Sequence, residues 1–304
     1  MVRTRRSLLN VDRPIGMFDS GFGGLTVARA VIDLLPAEDL VYIGDTARYP
    51  YGPRRADEVR RFAQELATSL VVDHGVKAII VACNTAAASG LDSMRNALGV
   101  PIIDVVAPGA AALVEATDSG RAGVIGTVGT VSSGAYLHAV ERAAMVAGRE
   151  VRLTSAACPG FVEFVERGQT SGDEVTVLAE RLLAPVKTAD VDALLLGCTH
   201  YPFLSRVISD VVGTHVTLVS SADETAFSAA RLLGELGLLR PHRAAPGRHR
   251  FLSSGDVQWF RELGRRLLGP ELDAAEPWHP RPRRATRVHS AATSSRLESE
   301  GASQ

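Results

Sequence analysis

Short apolar runs alternate along this chain with longer amphipathic stretches. The runs have the length of β-strands and show little apolar–polar alternation, which is typical of strands covered on both faces. The eight runs are Ile15–Phe18, Leu40–Ile43, Ala78–Ala82, Ile102–Val106, Gly123–Ile125, Val151–Thr154, Ala193–Leu196 and Val216–Val219.

The stretches between these runs have the length and spacing of amphipathic helices. The predicted helices are Leu25–Leu35, Ala56–His74, Ala86–Leu98, Gly134–Ala147, Gly172–Lys187, Ala222–Leu236 and Val257–Leu268. Parallel strands need crossover connections, which helices usually supply. The alternation therefore predicts an α/β fold with parallel central sheets flanked by helices.

Two pairs of segments resemble each other at nearly equal spacing. Residues 79–85 resemble residues 194–200, and residues 15–21 resemble residues 123–129. We therefore predict two similar α/β domains, with the active site in the cleft between them.

The domain boundaries follow from these repeats and from changes in composition. We predict a discontinuous first domain of residues 1–106 plus 219–278 and a second domain of residues 107–218. A linker containing Pro and Gly is predicted at Pro241–Gly247. Residues 279–304, which are rich in Arg, Ser, Pro and Ala, are predicted to form a disordered tail.

Charge and composition exclude several classes of function but say little about the fold. Lys plus Arg number 33 and Asp plus Glu number 34, so the net charge is −1 and no nucleic-acid partner is expected. No apolar run approaches about eighteen residues, so no membrane span is predicted. The start, Met1–Arg6, is basic, but the following residues Ser7–Arg13 are too few and too polar for the apolar core of a secretory signal, and we expect a cytoplasmic protein. Three cysteines without a CxxC pair indicate free thiols.

Small polar residues follow the predicted strands, where ligands bind in parallel α/β sheets. These segments are Asp19-Ser20, Gly44-Asp45-Thr46, Cys83-Asn84-Thr85, Thr127 with Thr130, Cys158-Pro159-Gly160 and Cys198-Thr199-His200. Several precede a predicted helix, whose backbone N–H groups favour a bound carboxylate.

Cys83 and Cys198 end the two matched segments and are the most informative residues. A thiol titrates near pH 8.5, and a helix N-terminus is expected to lower that pKa. Two thiols on opposite sides of one carbon can remove a proton from one face and return another to the opposite face. The pair therefore predicts inversion of a stereocentre, whereas hydrolysis would need only one nucleophile.

Other interpretations of these residues stay open on the pattern alone. Asp19, Asn84, Thr85 and Thr199 could act only as helix caps, Tyr51 could be a turn residue, and His200 and Glu166 could be ordinary helix residues. Cys158, beside Pro159, is interpreted as a core cysteine. The glycines at 21–24 and 123–129 lack the spacing of a nucleotide loop, and no compact ligand spacing supports zinc. A non-catalytic amino-acid-binding protein is the alternative from another class.

Four motifs in order resemble those of the glutamate racemase family, in the aspartate/glutamate racemase superfamily, over about residues 13–268. They are Asp19-Ser20-Gly21-Phe22-Gly23-Gly24-Leu25, Gly44-Asp45-Thr46 with Pro50-Tyr51-Gly52, Ala82-Cys83-Asn84-Thr85-Ala86 and Gly197-Cys198-Thr199-His200-Tyr201-Pro202. The resemblance implies a racemase without cofactor or metal that converts L-glutamate to D-glutamate for peptidoglycan synthesis. We also expect a homodimer.

The resemblance also implies roles for individual residues. Cys83 and Cys198 are expected to be the acid and base, assisted by Asp19 and His200. The expected substrate-binding residues are Asp19, Ser20, Tyr51, Gly52, Asn84, Thr85, Thr199 and His200. Asp45, Thr127, Thr130 and Glu166 are expected as further pocket residues. Cys83 would take the α-proton of the D-enantiomer and Cys198 that of the L-enantiomer.

Overall fold

The computed structural model describes residues 10–241 and 245–280. Most of the predicted tail, from residue 281 on, lies outside the described residues, as do residues 242–244 of the predicted linker. Within the described ranges the chain forms two fully parallel sheets flanked by helices, which confirms the predicted fold class.

The first sheet contains six strands in the order β10-β9-β2-β1-β3-β4. They are β1 (Ile15–Asp19), β2 (Leu40–Gly44), β3 (Ala78–Val81), β4 (Ile102–Asp104), β9 (His249–Ser253) and β10 (Glu276–Pro277). The second sheet has the order β6-β5-β7-β8. Its strands are β5 (Arg121–Gly126), β6 (Arg152–Ala157), β7 (Ala193–Gly197) and β8 (Thr217–Ser220).

The helices lie between the strands and cover both faces of the two sheets. They are α1 (Leu25–Leu34), α2 (Ala56–Asp73), α3 (Asn84–Ala88), α4 (Asp92–Leu98), α5 (Val106–Ala116), α6 (Val128–Ser132), α7 (Ala135–Ala147), α8 (Phe161–Glu166), α9 (Asp173–Leu182), α10 (Ala184–Thr188), α11 (Ser205–Val212), α12 (Ser221–Glu235) and α13 (Val257–Leu268). A 3₁₀ turn, Tyr201–Leu204, precedes α11.

The two sheets share one winding pattern. The order β2-β1-β3-β4 in the first matches β6-β5-β7-β8 in the second, so β1 corresponds to β5 and β3 to β7. The segments that resemble each other in the sequence therefore lie on equivalent strands. In each sheet the chain turns to one side of the first strand and then crosses to the other, which places a ligand crevice at the carboxyl end of that strand.

Both faces of the central strands are buried, which explains the continuous apolar runs. Alternate residues of β3 pack into different clusters: Ile80 contacts the cluster under α1 and α12, and Ile79 the cluster under α2. In β7, Leu194 and Leu195 divide in the same way between the two faces of the second sheet.

Two predicted helices are each interrupted. Gly90, with φ of +102°, separates α3 from α4, because the left-handed region that glycine tolerates cannot continue a helix. The predicted helix Gly172–Lys187 is divided at Leu183, and Pro185 lies in the first turn of α10, where a missing N–H costs nothing.

The chain after β8 returns to the first sheet. Helix α12 packs on α1, and β9 pairs in parallel with β2. The indole Nε1 of Trp278 donates a 2.9 Å hydrogen bond to Ser69 on α2. The domain boundaries stay a prediction. Among the residues described, no helix combines the length and apolar character needed to cross a membrane.

Candidate active site

A cavity of about 100 Å³ lies where the carboxyl ends of strands from both sheets meet. The first sheet contributes the residues after β1, β2 and β3, and the second those after β5, β6 and β7. Eleven predicted site residues line this cavity: Asp19, Ser20, Tyr51, Gly52, Cys83, Asn84, Thr85, Thr127, Cys198, Thr199 and His200. Side chains that are separated by more than a hundred residues of sequence therefore share one enclosed space.

Cys83 is the N-cap of α3 and is 4% exposed. Its sulfur accepts a 3.4 Å hydrogen bond from the Ala86 amide, and its thiol lies 3.6 Å from the Ser20 hydroxyl. Burial raises the pKa of Cys83 well above its usual value, and the charge of Asp19 raises it further. The Ala86 amide at the helix N-terminus does lower this pKa, but burial and Asp19 outweigh it, so the expectation that the thiolate of Cys83 is favoured is wrong in this structure.

Cys198 has a different environment from Cys83. It follows β7 but precedes a 3₁₀ turn rather than an α-helix, and its sulfur lies 3.9 Å from Nδ1 of His200. His200 is 3% exposed, and its Nε2 lies 3.4 Å from Oε1 of Glu166 on α8. Burial opposes the imidazolium, but the contacts with Cys198 and Glu166 and the charge of Asp19 raise the pKa of His200 to about 10. The imidazolium of His200 therefore lies beside the sulfur of Cys198.

The two cysteines therefore differ in their surroundings. The surroundings of Cys83 favour the neutral thiol, which can donate a proton. Cys198 instead lies beside the imidazolium of His200, a cation that can donate a hydrogen bond to its sulfur. Two thiol side chains with different electrostatic surroundings therefore line the same cavity.

Hydroxyl and amide groups join the two sheets beside the cysteines. The Thr85 hydroxyl lies 2.9 Å from that of Thr127 and 3.3 Å from that of Thr130. The Asn84 amide donates a 2.6 Å hydrogen bond to the Tyr136 hydroxyl, while its Oδ1 atom is buried without a partner among the described residues. That oxygen is available to accept a hydrogen bond from a ligand in the cavity.

Three of the expected pocket residues do not line the cavity. Thr130 lies behind Thr127 and Glu166 lies behind His200. Asp45 is fully buried and accepts hydrogen bonds from Arg48 at 2.7 Å, from Ser254 at 2.7 Å and from the Tyr51 hydroxyl. Asp45 thus orients Tyr51 from behind the cavity. The sequence did not predict this position, because a residue at the end of a strand can face either the cavity or the adjoining core.

The cavity has further lining residues that were not among the expected site residues. They are Tyr49, Pro50, Pro53, Val128, Cys158, Pro159, Gly160, Val162 and Glu163. Cys158 is 1% exposed and belongs to the core cluster, as interpreted, but it also forms part of the cavity wall. Its position directly after β6 is the sequence feature that indicates a place in the cavity wall. Burial, with a smaller contribution from Cys198, raises the pKa of Cys158 to about 12.

The residues that line the cavity can be compared with those that pyridoxal phosphate or a metal ion would need. Lys77 is fully buried and pairs with Glu38 at 2.5 Å, and neither it nor Lys187 lines the cavity. A Schiff base to pyridoxal phosphate needs a positioned lysine. Within the part of the chain that the structure describes, no group of three or more His, Cys, Asp or Glu side chains is arranged to hold a metal ion.

Comparison with known proteins gives a consistent result. The family model described as Asp/Glu/Hydantoin racemase matches residues 19–229. The chain is similar to the glutamate racemase of Parafrankia sp. (strain EAN1pec), with 54% identity over 261 residues that cover 86% of this chain and 92% of the relative.

Two solved structures are similar over most of their length. A glutamate racemase isoform from Bacillus anthracis is 39% identical, with a TM-score of 0.80, and the match covers 88% of this chain and 96% of that one. The glutamate racemase from Francisella tularensis subsp. tularensis SCHU S4, solved in complex with D-glutamate, is 34% identical. Its TM-score is also 0.80, and the match covers 88% of this chain and 98% of that one.

Proposed function

The chain belongs to the Asp/Glu/Hydantoin racemase family, and we propose that it interconverts L-glutamate and D-glutamate by passing the α-proton between Cys83 and Cys198. The observation that carries this proposal is that the two cysteines follow equivalent strands of two similarly wound sheets and line the same cavity. The relatives named glutamate racemase support the choice of glutamate.

In the proposed reaction the two cysteines exchange roles with direction. The Cys198 thiolate removes the α-proton of L-glutamate, and the Cys83 thiol delivers its proton to the opposite face of the resulting carbanion. The reverse reaction starts with Cys83 as the base and D-glutamate as the substrate. The neutral Cys83 and the cation beside Cys198 support the first of these arrangements as the resting state.

Neutral donors would hold the two carboxylates of glutamate. Among the described residues that line the cavity there is no lysine or arginine. The hydroxyls of Ser20, Thr85, Thr127 and Thr199 and the backbone N–H groups beside them are the available donors, and such preorganised donors are effective in an enclosed site. Oδ1 of Asn84 would accept a hydrogen bond from the substrate ammonium.

The proposal extends to the cellular role. D-Glutamate made by this enzyme would supply peptidoglycan synthesis in the cytoplasm, without a bound cofactor. The homodimer implied by the resemblance also stays a prediction. These points rest on the resemblance and the family assignment rather than on contacts within the cavity.

We expect turnover of glutamate to be roughly a hundredfold or more faster than turnover of aspartate. A site whose buried polar groups pair with both carboxylates of glutamate leaves some of those groups unpaired when the ligand is one methylene shorter. The measurement is loss of optical rotation from L-glutamate and L-aspartate, after dialysis against a chelator and without pyridoxal phosphate. Protein carrying both Cys83→Ser and Cys198→Ser, purified in parallel, controls for a contaminating racemase. Comparable rates on both substrates, or activity that returns only with pyridoxal phosphate or zinc, would contradict the proposal.

A further inference from the structure

Tyr49 reaches from the first sheet into the half of the cavity that contains Cys198. It lies in the segment between β2 and α2, yet its ring packs against the core cluster of the second sheet. The ring centroids of Tyr49 and His200 are 6.2 Å apart with planes 32° from parallel. On its other side the ring lies over Gly21, where a Cβ atom would be only 3.0 Å from Cδ2 of Tyr49. The ring is therefore confined between the loop after β1 and the His200 side chain.

Three buried polar atoms meet beside this ring. The Tyr49 hydroxyl, Oε1 of Glu166 and Nε2 of His200 each have no aligned hydrogen-bond partner among the residues that the structure describes. Nε2 and Oε1 are nevertheless only 3.4 Å apart. Burial chiefly, and then the Glu166 carboxylate, raise the pKa of Tyr49, so its hydroxyl keeps its proton and remains a donor. A buried donor next to a buried carboxylate costs free energy until the two are paired.

We propose that Tyr49 is a positioning residue for the Cys198 half of the reaction: its hydroxyl donates to the Glu166 carboxylate and holds it against His200. The charged groups around this contact are Glu166 and Glu163 from α8, Asp19 at the end of β1 and Cys198 after β7. Glu166 fixed in this way keeps the imidazolium beside the sulfur of Cys198. Cys83 has no part in this arrangement, because its own contacts are with Ser20 and Ala86. The inference rests on the proposed two-cysteine racemisation.

Loss of the Tyr49 hydroxyl should affect only one of the two proton transfers, the one at Cys198. Without the hydroxyl, Glu166 is free to turn from His200, and the transfer at Cys198 becomes slower while that at Cys83 does not. Because the equilibrium constant between enantiomers is one, kcat/KM must fall equally in both directions. The kinetic isotope effects of the two α-deuterated enantiomers need not be equal. Each one reports whether removal of the deuteron from that enantiomer is the slow step.

The test is the variant Tyr49→Phe, which keeps the ring and removes only the hydroxyl. We expect kcat/KM to fall roughly tenfold, the size typical of one lost hydrogen bond to a charged group. The isotope effect with α-deuterated L-glutamate should rise, because Cys198 removes that deuteron in a step that is now slower. The isotope effect with α-deuterated D-glutamate should fall, because its deuteron is removed by Cys83 before the limiting step.

Tyr42→Phe is the matched control. Tyr42 is buried on β2, and its hydroxyl donates to the carbonyl of Gly21, on the same loop, at 3.2 Å. It lies outside the cavity lining, and its loss should leave both isotope effects unchanged. The double variant Tyr49→Phe with Glu166→Gln should lose no more activity than the more damaged single variant, because the two residues act through one contact.

Three results would overturn the role of Tyr49 alone: parental activity in Tyr49→Phe, a fall in kcat/KM with unchanged isotope effects, or losses that multiply in the double variant. In each case the parental protein still racemises glutamate and the proposed function stands. A parental protein that does not racemise glutamate would overturn both the proposed function and this inference.

Discussion

Replacing either Cys83 or Cys198 with serine is expected to slow glutamate racemisation by roughly a thousandfold or more, in the upper range of what one acid–base group contributes. Serine nearly matches cysteine in size, but its hydroxyl is a far weaker acid and cannot exchange a proton near neutral pH. Each enantiomer needs one cysteine as base and the other as acid, so either substitution should block both directions. The measurement is the steady-state rate of racemisation from each enantiomer.

Cys158→Ser is the matched control for these variants. Cys158 is as deeply buried and lines the same cavity, but it follows β6 rather than one of the two equivalent strands. We expect this variant to keep racemisation within about tenfold of the parental rate, since it loses no acid–base group. All three variants should keep the far-ultraviolet circular dichroism of the parent. A variant at Cys83 or Cys198 that racemises at near the parental rate would contradict the two-base mechanism.

The same two variants should separate the enantiomers of an eliminating substrate. In β-chloroglutamate, removal of the α-proton expels chloride from the neighbouring carbon, which leaves an enamine that hydrolyses to 2-oxoglutarate and ammonia. Only one base is needed, so one intact cysteine should suffice. Cys83→Ser should process the L-isomer and Cys198→Ser the D-isomer, and the opposite isomer should react roughly a thousandfold more slowly.

Release of 2-oxoglutarate measures each half-reaction separately. The parental protein, tested on both isomers, shows that each is accepted. The variant with both substitutions should process neither isomer and gives the background. If both single variants process the same isomer, the assignment of Cys83 and Cys198 to opposite faces is wrong.

The continuous apolar runs predict the fold well because they mark strands that are buried on both faces. All eight predicted strands are present, but β9 and β10 were missed. β9 contains only two apolar residues, Phe251 and Leu252, and it is held by backbone pairing with β2, which leaves no periodic pattern. The helix α5 is also absent from the predicted helices; its Pro108 lies in the first turn, where proline is tolerated.

The sequence predicts those site residues whose place in the cavity follows from their position at the end of a strand. Cys83 and Cys198 stand in matched segments, and their meeting at one cavity follows from the repeated winding pattern. The electrostatics of Cys83 depend instead on burial and on Asp19, which a rule about helix N-termini does not include. Tyr49 crosses from one sheet to the other, and no local pattern in the sequence indicates a contact of that kind.

The central claim, that two different groups act on opposite faces, is tested most directly in D₂O. Purified protein is incubated with L-glutamate, the reaction is stopped after a few per cent conversion, and the α-position of each separated enantiomer is examined by mass spectrometry. A two-base enzyme removes protium at Cys198 and delivers deuterium from Cys83, so the D-glutamate formed should contain deuterium while the remaining L-glutamate still contains protium. D-Glutamate that keeps the original protium would show one group serving both faces and would contradict this account.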